Sequence, residues 1–391
     1  MTSTSDSPGL DVNSPVALFC AIYLGVIGAA VFIVQPGFVQ GLVQFYGFSE
    51  QQAGYIASAE IWGLAVTTVA LALGGHNFSW RSILKASILL FAAGNIASLV
   101  TDDLMQFSAL RFMAGLGSGG MVSLTFTIIG LTKLPDRNFG FMIMGVLTYG
   151  ALGLWAMPLA FDLVGMQGVI IFFALFGLSG WPCIGQVPDS GQEHLQVEED
   201  AIDLPGSLRI LAIIAMFTYF FAQGVIWAYL FLIGLDGGVS EQGVANGLMV
   251  SQFLGIAGAF VPAMVGHRYG RMIPLTVGIL GGSLVLLALY GQFTAMIYAV
   301  TVCAYNFAWN MSHPFLLGAM ASFDQHGRVV VYAIAAQMLG LAVGPAFAAS
   351  LLKNSNYAPI ITAGISLFVV SWVMMMVPLV KHHQQFKQQR G

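Results

Sequence analysis

The chain is short of charge. Of its 391 residues only 8% are Asp, Glu, Lys or Arg, against 58% hydrophobic, and the mean hydropathy is +0.83. A soluble domain carries about 25% charged residues, so this chain cannot cover a water-facing surface and must have the bilayer as its main solvent. The net charge of −4 gives no footing for a nucleic-acid partner. Cysteine is scarce: Cys20, Cys183 and Cys303 lie in apolar runs, form no CxxC pair, and read as small buried hydrophobes. No basic residue precedes the first apolar run, which therefore reads as a retained span rather than a cleaved signal peptide. A Walker A lysine, HExxH, paired aspartates and GxSxG are all missing, which argues against ATP drive and against a membrane enzyme. No cofactor or metal is expected.

What is there is a series of apolar runs of membrane-crossing length, roughly 20 residues each. They fall near residues 16–34, 53–73, 83–100, 106–130, 138–161 and 167–186, then 208–233, 246–265, 273–291, 294–317, 330–352 and 357–380. Twelve spans in two sets of six follow, an all-α membrane protein. The basic residues test this layout. Arg81, Lys85, Lys133, Arg137, Arg209, Arg268, Arg271, Arg328, Lys381, Lys387 and Arg390 all fall on one side if the spans alternate. Lys353 falls on the other side and Arg111 within a span. By the positive-inside rule, both termini and the central loop are expected in the cytoplasm. The domain plan is a cytoplasmic tail at 1–15, six spans at 16–186, an acidic linker at 187–207, six spans at 208–380 and a tail at 381–391.

The two halves echo each other. GHNFSWRSIL follows span 2 and GHRYGRMIPL follows span 8; PDRNFG follows span 4 and FDQHGR follows span 10. Duplicated six-helix halves are a transporter architecture, with the substrate site near the midplane between them. On these features the chain resembles the major facilitator superfamily over nearly its full length. His267-Arg268-Tyr269-Gly270-Arg271 resembles that family's D-R-x-G-R-[RK] turn, which latches one side of the two halves, and His76 to Arg81 is a more decayed copy. Histidine stands where the family usually has Asp, so the latch either senses cytoplasmic pH or has drifted. The resemblance implies a monomeric, multi-pass protein of the bacterial inner membrane that moves a small organic solute by alternating access. A proton gradient is the expected driving force. An uncoupled facilitator, a drug or metabolite exporter and a transporter-like receptor are the alternatives.

Charges inside the membrane are the sharpest local signal. Span 4 opens ALRFMAGLGSGGMVS. Its GxGxxG sits inside a span rather than after a strand, so it reads as small residues for close helix packing, not a dinucleotide fingerprint. Arg111 must find a partner or a wet cavity. The acid deep in a span is Glu60, and the two depths differ by about 3 Å at 1.5 Å per residue. A Glu60–Arg111 pair is expected, serving either in proton coupling or as static packing. The family's span-4 motif resembles this Arg and its glycines, and in proton-linked members that Arg is implicated in coupling.

Polar stripes mark a candidate cavity. Tyr305 to His313 read YNFAWNMSH, with Asn306, Asn310 and His313 at i, i+4, i+7 and Trp309 between them. Span 7 places Tyr219, Gln223 and Trp227 at i, i+4, i+8, and span 1 offers Tyr23 and Gln35. Unsatisfied polar atoms facing lipid cost several kcal/mol each, so these stripes should face the interior. The resemblance implies that spans 1, 4, 7 and 10 line the cavity, with the stripe of span 10 facing Gln223 and Arg111 across a wet cleft. Amides, aromatics and one cation fit a modest-sized neutral, zwitterionic or singly anionic solute.

Overall fold

The computed structural model describes residues 11–74, 78–190, 201–265, 270–325 and 328–390. Among them the backbone is helical throughout, apart from turns and an isolated bridge between Lys353 and Asn356. A bilayer leaves no other choice, because every backbone N–H and C=O must be satisfied within its own segment.

The first half holds α1 (Pro15–Ile33), α2 (Gln35–Tyr46), α3 (Glu50–Gly74), α4 (Trp80–Ala97), α5 (Leu104–Gly130) and α6 (Pro135–Ser179). The second holds α7 (Gly206–Trp227), α8 (Leu230–Asp236), α9 (Glu241–Val265), α10 (Met272–Thr276), α11 (Gly282–Leu284), α12 (Ala295–Ser322), α13 (Arg328–Leu351) and α14 (Ala358–Arg390). Ten segments are both long and apolar enough to cross a membrane. One of them, Arg137–Gln186, contains two crossings that turn at Gly165, whose φ of 64° an L side chain rarely adopts. The 28-residue α12, diluted by its polar stripe, is a further crossing outside those ten. Twelve crossings result, in two bundles of six.

Three details depart from the expected spans. The first crossing does not stop near residue 34 but continues as α2 to Tyr46. Its seventh-span counterpart breaks in the same way, between α7 and α8. The last helix runs on through the expected tail to Arg390, through KHHQQFKQQR, where Lys, Gln and Arg favour helix. Small residues set the packing inside each bundle. A Cβ on Gly63 would overlap the Phe112 carbonyl, and one on Gly115 the Glu60 carbonyl, so α3 and α5 run backbone to backbone. Gly258 against the Phe307 carbonyl does the same for α9 and α12.

The bundles meet along two helix pairs, α3 with α13 and α6 with α9, and α2 touches α8. Hydrogen bonds tie the halves together away from the side carrying the basic residues, here called the far side. Trp227 Nε1 donates to the Phe32 carbonyl (3.1 Å), Tyr229 Oη to the Glu50 carbonyl (2.9 Å) and Ser58 Oγ to the Ala342 carbonyl (2.5 Å). The first of these has a clear origin. Pro36 has no N–H to offer the carbonyl four residues back, which is that of Phe32. The N–H of Val34 and the indole of Trp227 take its place. The second depends on Gly54, because a Cβ there would overlap the Tyr229 hydroxyl. Toward the basic side, α12 passes from the buried Asn306 to the part-exposed Trp309, Asn310 and His313. The halves are thus tied together at the far side, while α12 carries its part-exposed polar residues toward the basic side.

Gly54→Ala should therefore displace Tyr229 and loosen the far-side closure. Spin labels at Gln51 and Asp236, both exposed, read this as a longer-distance population that the parent chain has little of. An unchanged distance distribution would show that the closure does not need Tyr229.

Candidate functional site

Two polar clusters occupy the membrane interior. The first is built on the tight α3–α5 crossing. Arg111 donates through Nη2 to Glu60 Oε1 (2.6 Å) and through Nε to Glu60 Oε2 (3.2 Å), a two-pronged ion pair. Its Nη1 donates to Asn95 Oδ1 on α4 (2.8 Å), and Asn95 in turn donates to the Phe91 carbonyl (2.8 Å). The Phe38 ring of α2 lies 5.1 Å from the guanidinium carbon. Arg111 is 0% exposed and Glu60 7%. Arg111, expected to face substrate, instead turns three of its five N–H donors to Glu60 and Asn95 inside the first bundle.

Beside the pair is a cavity of about 10 Å3, lined by Val31, Phe32, Gln35, Glu60, Ile61, Leu64 and Ser118. That is room for one water molecule. Gln35 is buried, and its Oε1 has no hydrogen-bond partner. Gln35, expected on the first span as a polar lining residue, lines this cavity.

The second cluster lies in the second bundle. Tyr305 Oη donates to Gln223 Oε1. Trp227 packs edge-on against Trp309 with centroids 5.7 Å apart, and Tyr305 is 6.1 Å from Trp309. Tyr219 packs against Phe220 and Phe368. Together these rings form an aromatic core in the second bundle, with Trp309 at its part-exposed edge. Below them the stripe of α12 turns toward its own bundle. Asn306 Nδ2 donates to Ser251 Oγ on α9 (3.2 Å), Asn310 Nδ2 to Asn306 Oδ1 (2.8 Å), and His313 Nε2 pairs with Gln337 Oε1 on α13 (3.0 Å). The expected arrangement, with this stripe facing Arg111 across the cleft, is not what forms. Gly255, which leaves room for the Asn310 amide, draws the stripe toward α9 instead. Pro314 has no N–H to offer the Asn310 carbonyl four residues back.

Tyr23 is displaced further. Its hydroxyl is 2.6 Å from Ser179 Oγ, and its ring packs with Phe19 and Phe176, so it belongs to an aromatic cluster between α1 and α6. Of the expected gating residues, His76, His267 and Arg268 lie outside the described residues. Arg81 Nε donates to the Val187 carbonyl (2.9 Å), pinning the start of α4 to the end of the first bundle. Gly270, with φ of 62°, forms the turn into α10 beside Arg271.

Sequence reasoning missed Asn95, Ser118 and Gln252. Gln252 is 0% exposed, with both amide atoms unpartnered and its Cδ beside Gly150 of α6. Its only signal was a lone amide in an apolar run, next to Ser251, which stands where α3 has Glu60 when Glu50 is set against Glu241.

A family profile described as the Major Facilitator Superfamily matches residues 20–323. Among curated proteins the chain is 24% identical over 361 residues to a 3-(3-hydroxy-phenyl)propionate transporter of Escherichia coli K12, spanning 84% of this chain and 87% of the relative. It is 24% identical over 370 residues to a gentisate transporter of Corynebacterium glutamicum, spanning 85% and 81%. Among solved structures it resembles a D-xylose-proton symporter with a TM-score of 0.71 at 17% identity, covering 93% of this chain and 96% of that one.

Glu60→Met leaves a buried guanidinium without its counter-charge and should cost roughly 3–5 kcal/mol of stability. The double change Glu60→Met with Arg111→Met should recover most of that loss. Thermal melts of the purified variants check this, and equal destabilisation by single and double changes would show that the pair is not the unit holding α3 to α5.

Proposed function

The chain belongs to the major facilitator superfamily and is a multi-pass solute transporter rather than an enzyme; we propose that it couples a proton to the movement of a small aromatic carboxylate. The proposal includes the orientation: basic side and termini in the cytoplasm of an inner membrane, so that the far side described above faces outward. The protein works as a monomer driven by the proton gradient, with no bound cofactor.

The Glu60–Arg111 bond carries this reading. A membrane protein sustains a buried two-pronged ion pair at considerable desolvation cost. Protonating Glu60 removes the charge attraction and turns one acceptor oxygen into a hydroxyl, which opposes the Arg111 donor facing it. The change is then felt on α3, which also carries the far-side closure. Gly54 admits Tyr229, and Ser58, two residues before Glu60, donates to α13. A helix that shifts when its ion pair opens shifts both closure bonds with it. The pair and the closure are thus a single two-state element, which is what coupling requires.

The substrate class follows from the second cluster. Trp309 is part-exposed and offers an aromatic face, backed by the buried rings of Trp227 and Tyr305. Asn310 Oδ1, whose amide nitrogen is held by Asn306, and the second ring nitrogen of part-exposed His313 are polar atoms at the edge of the ring cluster. A planar ring bearing a carboxylate and hydroxyl groups matches both. The names of the two curated relatives, for a hydroxyphenyl-propionate and for gentisate, support the same class.

In proteoliposomes, Glu60→Gln should abolish accumulation of a hydroxylated aromatic carboxylate driven by a pH gradient while counterflow exchange continues. Unchanged gradient-driven accumulation would remove Glu60 from the coupling. Asn310→Leu should raise the KM for the same solute about tenfold, on the order of 1.4 kcal/mol for one polar contact. A normal KM would make the α12 stripe packing alone.

A further inference from the structure

We infer that the small cavity lined by Gln35, Glu60 and Ser118 is a single-water site through which Glu60 exchanges its proton with the far side, and that the Trp227–Phe32 bond is its gate. This rests on the reading of Glu60 as the proton carrier and adds the route.

The cavity, about 10 Å3, is the size of one water and too small for a solute. A water there needs two to four polar partners, and the lining supplies three from three different helices. They are the Oε1 of Gln35 on α2, the carboxylate of Glu60 on α3 and the hydroxyl of Ser118 on α5. The Gln35 oxygen is buried and unpartnered, aimed into a space that one bridging molecule fills. Each Glu60 oxygen accepts one hydrogen bond from Arg111 and keeps a lone pair for another. Arg111 is the charged group facing Glu60 from α5. Asn95 of α4 and Phe38 of α2 are neutral, and the phenol of Tyr46 is close enough to Arg111 to feel its charge. The proton moves by transfer to the carboxylate from the bridging water, which takes another from the next water outward. No bond other than O–H is made or broken, and no oxidant or metal is involved.

The gate comes from the same broken helix. Phe32 and Gln35 flank the α1–α2 break and both line the cavity. The Phe32 carbonyl at that break is held by the Trp227 indole of the other half. While the far side is closed, Trp227 fixes the break that borders the cavity. When the halves part there, the carbonyl loses that donor, the break is free to move, and water reaches Glu60 from the far side. Solute access and proton access at that side are then governed by one hydrogen bond.

Infrared difference spectra of the full chain in lipid nanodiscs, taken as the pH is lowered, test this. The carboxylic C=O band of Glu60 is assigned by its loss in Glu60→Gln, and its shift after transfer to D2O times the exchange. Gln35→Met and Ser118→Ala should each slow that exchange on the order of tenfold, the scale of one hydrogen bond in a barrier. Trp227→Phe should speed it. Each variant is checked for a single elution peak and an unshifted thermal midpoint, and Ser118→Ala is the mildest change should Gln35→Met fold poorly. Unaltered exchange in folded Ser118→Ala and Gln35→Met overturns the water site while leaving Glu60 as the carrier. Unaltered exchange in Trp227→Phe overturns the gate. Absence of any band lost in Glu60→Gln overturns Glu60 as carrier, and the route with it.

Discussion

An arginine that cannot reach water organises the first half of this protein. Arg111 is fully enclosed, so each of its donors must be met within a bundle whose helices are mostly aliphatic. Glu60 meets two of its five N–H donors, Asn95 a third, and the Phe38 ring lies over the guanidinium. Those partners come from α3, α4 and α2, so one side chain fixes the positions of three neighbours of α5. The glycines follow from the same demand. The two prongs reach Glu60 only because Gly63 and Gly115 bring the backbones of α3 and α5 into contact.

The second half solves the same geometry without charge. Ser251, Asn306 and Asn310 form a neutral hydrogen-bonded chain between α9 and α12, with the buried amide of Gln252 beside Ser251. The duplicated fold has thereby divided its labour. One half holds a group whose charge a proton changes, and the other holds amides and rings suited to an organic solute. The halves communicate through Trp227 and Tyr229, at the break between α7 and α8, and through Ser58 on α3.

Much of this was legible in the chain itself, for physical reasons. Twelve crossings were legible because a bilayer demands long apolar runs and the basic residues segregate to alternate loops. The Glu60–Arg111 contact was legible because neither group is tolerable alone at that depth. The neighbours of the pair were not. Asn95 and Ser118 are neutral residues in apolar runs, and nothing in their spacing says which helix they face. The direction of the α12 stripe was misjudged because periodicity defines a face, while Gly255 and Gly258 on another helix decide what that face meets. The continuation of the first crossing to Tyr46 was hidden by Pro36, which marks a break in a helix but not whether the next segment resumes the same path.

The turn at Gly165 has a mechanical consequence. Two crossings of α6 meet at one left-handed residue with no loop between them, so the joint has no slack. The first of these crossings is the one that lies against α9. Any displacement of the second half is therefore handed through a stiff elbow to the sixth crossing, which packs on α1 and α4 instead of dissipating the motion in a flexible connector. The outer face of the first bundle behaves as a linkage of rods, and its stroke is set by a single backbone angle.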